Sequence, residues 1–93
     1  MKIVINSDFG GFCLSEAAYE YLGLKWDGHG FTYDDYDKRA DPKLVECVER
    51  LGAAAASGRY ANLKVVEIPD DVEYEIHNYD GLESIHEKHR EWR

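Results

Sequence analysis

Several groups of residues have the types and spacing that chemistry needs. The first is the loop Asn6-Ser7-Asp8-Phe9-Gly10-Gly11-Phe12, which lies between a β-branched run and a helix start. In open α/β sheets ligands gather at such strand ends, and a following helix N-terminus offers N–H groups to an anion. Asn6, Asp8, Gly10, Gly11 and Phe12 are therefore candidate ligand-binding residues. The glycines follow neither the dinucleotide-binding nor the P-loop spacing, and no Lys or Arg adjoins them. A tight turn that requires glycine accounts for the same residues.

A second group is the histidines. His86 and His89 are three apart, with His77 upstream and Asp80 and Glu83 near in sequence. A zinc site needs three or four convergent ligands, and spacing alone does not make these converge, so no metal is assigned. Cys13, just before a helix, would have its thiol pKa lowered by the helix dipole, yet no histidine is selected as its partner. The nineteen acidic residues supply too many carboxylate pairs for any one to mean acid–base catalysis. No catalytic residue and no cofactor is expected.

Two surfaces remain. Tyr33-Asp34-Asp35-Tyr36 and Tyr79-Asp80 set tyrosine beside aspartate in loops, a composition that suits contact surfaces. Glu73 and Glu75 fall on the outer face of an alternating strand. There they either guard an edge against unwanted pairing or meet a basic partner, for instance by imitating nucleic-acid phosphates.

The elements that must position these groups follow from local pattern. Lys2–Asn6 reads as a buried strand. Ser15 caps a short helix over 16–22 that stops at Gly23, with Leu14 and Tyr19 placed as a hydrophobic staple. Residues 24–40 read mostly as loop, with room for a short strand near Phe31–Tyr33. Asp41-Pro42 starts a second helix whose stripe is Leu44, Val45, Cys47, Val48 and Leu51. The alanines at 53–56 favour carrying it on to Gly58. Leu63–Ile68 is a second strand and Val72–His77 a third, pairing back across Pro69 as a hairpin. Asp80 with Glu83 resembles a capping box opening a last helix to about Glu91, which buries Leu82, Ile85, His89 and Trp92. The expected fold is one α/β (α+β) domain spanning 1–93, ordered β-α-α-β-β-α. Its three-stranded sheet has the first two strands parallel and the third antiparallel at an edge, with helices packed on the faces.

Composition bounds the function. The chain of 93 residues carries a net charge of −8, with seven acidic and no basic side chains between residues 67 and 83. Such a balance argues against direct DNA or RNA binding, where a basic face supplies most of the affinity, and against anionic membranes. No apolar run is long enough to span a bilayer. No secretory signal follows the first residues, and two cysteines make no disulfide framework, so a cytoplasmic protein is expected.

The sequence also resembles a family of small uncharacterised proteins of bacteriophages, prophages and bacteria. The matching residues are Lys2-Ile3-Val4-Ile5-Asn6 through Gly10-Gly11-Phe12 to Leu14-Ser15, Asp41–Glu46, Leu63–Val72, Tyr79-Asp80-Gly81 and Glu87-Lys88-His89-Arg90. Relatives often carry a longer insert before Arg39, and Asp8 and Cys13 depart from the family pattern. The resemblance implies a phage-type accessory protein, in the host cytoplasm, that acts on a host component, including inhibition of a defence system. The expectation is non-enzymatic binding of a host protein or a small ligand, with homo-oligomerisation left open. The alternative is a small enzyme or nucleotide-binding domain centred on Asn6–Phe12.

Overall fold

The computed structural model describes residues 1–28, 30–33, 35–59 and 61–87. Its elements are β1 (Lys2–Asn6), α1 (Glu16–Leu22), α2 (Pro42–Leu51), α3 (Ala53–Ala56), β2 (Leu63–Glu67), β3 (Tyr74–Tyr79) and β4 (Leu82–Glu87), with one 3-10 turn over Tyr36–Lys38. The result is a small α+β fold with two separate antiparallel sheets of two strands each, β1–β2 and β3–β4.

The helix starts form as their caps dictate. Ser15 Oγ accepts from Ala18 N and Asp41 Oδ1 from Lys43 N, while Gly23 closes α1 with φ +72°. The second helix does not run to Gly58. Gly52 takes φ +84° and ψ 157°, which no helix accommodates, so the alanines form a separate single turn, α3. Four good helix formers cannot carry a helix through a residue folded in that conformation.

β1 and β2 are antiparallel rather than parallel, with Val4 opposite Val65 and Ile3 opposite Val66. The connection returns the chain to the end of β1 that it left, where Ser7 N donates to Asn62 O at 2.8 Å. A parallel strand would have to re-enter from the other end. No strand forms among the described residues near Phe31–Tyr33.

The C-terminal part departs most from expectation. β3 lies two residues later than expected and pairs with β4 instead of joining β1 and β2 in a three-stranded sheet. The capping box is absent, because Asp80 and Gly81 both have positive φ, +51° and +92°, as a type I′ hairpin turn requires. The segment expected to begin a helix is therefore a strand through Glu87, while His89, Glu91 and Trp92 lie outside the described residues.

The β1–β2 sheet is covered on both faces, which is why Ile3, Val4 and Ile5 at the centre of β1 are all apolar. On one side Val4 and Leu63 pack with Leu14, Tyr19, Leu44 and Val48 from the helical layer. On the other, Ile3, Ile5 and Val66 meet Ile76, Ile85 and Tyr74 of the hairpin. The hairpin thus forms a third layer, over the sheet face turned away from the helices. No helix among the described residues is long and apolar enough to cross a membrane.

Candidate functional site

The end of β1, the glycine loop and the β3–β4 turn converge on one buried cluster. Asn6 is wholly buried and joins three segments. Its Nδ2 donates to Asp8 O and to Gly81 O, each at 2.7 Å, and its Oδ1 accepts from Asn62 N at 2.9 Å. Gly81 sits so close to the loop that an added Cβ would stand 2.5 Å from Gly11 N. Gly11 itself has φ +91°.

Beside this clamp lies a buried ion pair. Arg39 is fully buried and Glu83 is 4% exposed. Two parallel bonds join them, Nη1 to Oε1 at 2.5 Å and Nη2 to Oε2 at 2.8 Å. The backbone N–H of Asn6 donates to the same Oε1 at 2.8 Å. The guanidinium is fixed from other directions too: Nε donates to Tyr33 O at 3.0 Å, and Nη1 to Val4 O at 3.3 Å. Its plane lies over the Phe12 ring, 3.7 Å from the centroid, and 5.3 Å from that of Tyr36. This planar, bidentate, stacked arrangement is one that lysine cannot reproduce.

The candidate ligand loop is therefore occupied by its own chain. Asn6, Gly11 and Phe12 hold structure, and the place where an anion would meet the end of β1 contains the Glu83 carboxylate. The α1 N-terminus is engaged as well, since Ser15 N donates to Ala56 O and Ser15 Oγ to Ala55 O. Asp8 is exposed, and its Oδ1 accepts from Phe9 N.

The tyrosine and acidic candidates scatter over three places. Asp35 and Tyr36 border a cavity of 260 Å³ with Asn78 and Glu83. Tyr33 is half-buried, and burial pushes its hydroxyl pKa up. Asp34 lies outside the described residues. Tyr79 and Asp80 stand at the hairpin tip, where Tyr79 is 72% exposed and meets Phe9, itself 58% exposed, edge to face at 6.5 Å. Glu73 and Glu75 are exposed near the opposite end of β3, with Glu75 Oε1 3.1 Å from His77 Nε2.

His77 and His86 come together on the outer face of the hairpin, their rings stacked at 4.1 Å, and His86 Nε2 lies 2.9 Å from Ser84 Oγ. No group of three metal-binding side chains occurs among the described residues. Cys13 is not activated by the helix: burial pushes its thiol pKa up, and Sγ donates to Leu14 O at 3.7 Å.

Phe9, Arg39, Gly81 and Glu83 carry this region and were not among the expected site residues. The Asp-Gly pair between two alternating runs was the available signal for the last two. Comparison with protein families, with curated proteins and with solved structures finds no match.

Proposed function

We propose that this chain is a binding protein rather than an enzyme, and that it engages a protein partner through the hairpin tip. The observation that carries this reading is the exposed Phe9–Tyr79 pair, brought together from two loops and flanked by Asp8 and Asp80. Large aromatic side chains on rigid supports give contact area at low entropic cost and dominate many interfaces. The Gly81 contact and the Asn6 bonds hold these two loops to each other, so the tip is organised before any partner arrives. The adjacent carboxylates suit a partner with a basic rim. The phage-type motifs support an accessory role on a host protein in the cytoplasm, including inhibition of a defence system.

The test compares proteins retained from host lysate by the wild type, by Phe9→Ala/Tyr79→Ala and by Glu73→Lys/Glu75→Lys, each checked for an unchanged unfolding transition. Loss of a specific partner in the aromatic variant alone is the expected result. Equal retention by the aromatic variant removes the proposal. A nucleotide panel that raises the melting temperature of the wild type would instead favour a ligand site at Asn6–Phe12.

A further inference from the structure

The Arg39 guanidinium is held in place largely without the hairpin. Its bonds to Tyr33 O and Val4 O, its stacking on Phe12 and the bond from Val4 N to Arg39 O at 2.9 Å all come from the body of the protein. The Asn6 N–H beside it points the same way, because its strand partner β2 lies on the other edge of β1. Three donors thus converge on one carboxylate position whether or not β4 supplies the carboxylate. Glu83, although buried, also borders two cavities, one with Asp35, Tyr36 and Asn78 and another with Ser7, Lys64 and Tyr79.

The hairpin that delivers Glu83 is held more lightly than the strand it covers. Of its apolar inner face only Ile76 is buried, while Tyr74 and Ile85 are half-buried. It shares no backbone ladder with β1 or β2. Local opening is drawn from such weakly packed units.

The geometry points to a carboxylate receptor built into the body of the protein, with Glu83 as its tethered occupant. When the hairpin lifts, Arg39 and the Asn6 amide take the carboxylate of an external ligand in its place. The receptor position itself uses neither Phe9 nor Tyr79, although lifting the hairpin also parts that pair and breaks the bond from Asn6 Nδ2 to Gly81 O.

The test empties the receptor and refills it. In Glu83→Ala, about 0.1 M acetate is expected to raise the melting temperature by about 4 °C, whereas chloride at equal ionic strength does not. The double variant Glu83→Ala/Arg39→Met is expected to show no acetate effect. A second arm uses a short peptide with a free C-terminus against its amidated form. Stabilisation by acetate alone identifies a small acid as the ligand, and stabilisation by the free peptide identifies a chain terminus. Equal effects of acetate and chloride, or an acetate effect that survives loss of Arg39, overturn the proposal. Should Glu83→Ala not fold, amide hydrogen exchange of the wild type decides. Added acetate is then expected to speed exchange in β3 and β4 and leave β1 and β2 unchanged, and unchanged hairpin exchange refutes the receptor.

Discussion

Arg39 and Glu83 show how one buried charge pair can tie distant parts of a small chain. Forty-four residues separate them, and each is enclosed by groups that would be left unsatisfied without the other. Removing one partner of such a pair strands a charge in a poorly solvated site and costs about 3–5 kcal/mol, whereas replacing both with apolar residues is often near neutral. Arg39→Met and Glu83→Leu are each expected to lower the urea midpoint strongly. The double variant should recover much of that loss, and strictly additive losses would show that the two side chains act separately. None of this was legible in the sequence. Arg39 sits in an irregular stretch with no periodicity to mark it as internal, and a lone glutamate after Asp80-Gly-Leu fits a helix cap as well as a strand. Asn6 was legible as a residue of interest, but as a ligand contact rather than a clamp, because its partners Asn62 and Gly81 are distant in sequence.

At the scale of elements, caps and turn residues decided most boundaries. Ser15, Gly23 and Asp41-Pro42 act over three or four residues, so α1 and the start of α2 could be read directly. Gly52 and Gly81 are instead decided by conformation. Gly52 has φ +84° and ψ 157°, a conformation nearly confined to glycine, with open space where a Cβ would be, so Gly52→Ala meets only backbone strain and is expected to cost about 1–3 kcal/mol. Gly81 has φ +92° and also lies against Phe9 and Gly11. Gly81→Ala must therefore both strain the turn and push the hairpin off the loop. Denaturant unfolding is expected to rank Gly81→Ala as clearly the more damaging, and equal losses would mean that the close approach contributes nothing. The Asp80-Gly81 turn could have been recognised from the alternation on both sides. The Asp and Glu spacing there also matches a helix cap, and local spacing does not reveal which segment will find a partner strand.

Across the whole molecule, buried groups that ionise at high pH link stability to alkalinity. Burial pushes the thiol pKa of Cys47 above its ordinary 9.0, so the folded state favours the protonated form. That contribution is complete below pH 9.0 and is lost as pH rises through the higher folded value. Cys13 is shifted in the same direction, again by burial. The urea midpoint is therefore expected to hold up to about pH 8.5 and then fall, and to fall less steeply in Cys47→Ala. An identical decline in that variant would assign the loss to other groups. The acidic character of residues 67–83 was plain in the sequence. The outward placement of Glu73 and Glu75 was plain too, whereas the internal place of Glu83 was not. The bond from Asn6 N to Glu83, across 77 residues, has a consequence for biosynthesis. β1 is made before the hairpin, yet its second face and the Asn6 end of its outer edge are covered only after the hairpin has been synthesised. Until then Ile3 and Ile5 leave the ribosome without their cover, so this fold is completed late, and these two residues are the ones a chaperone would meet.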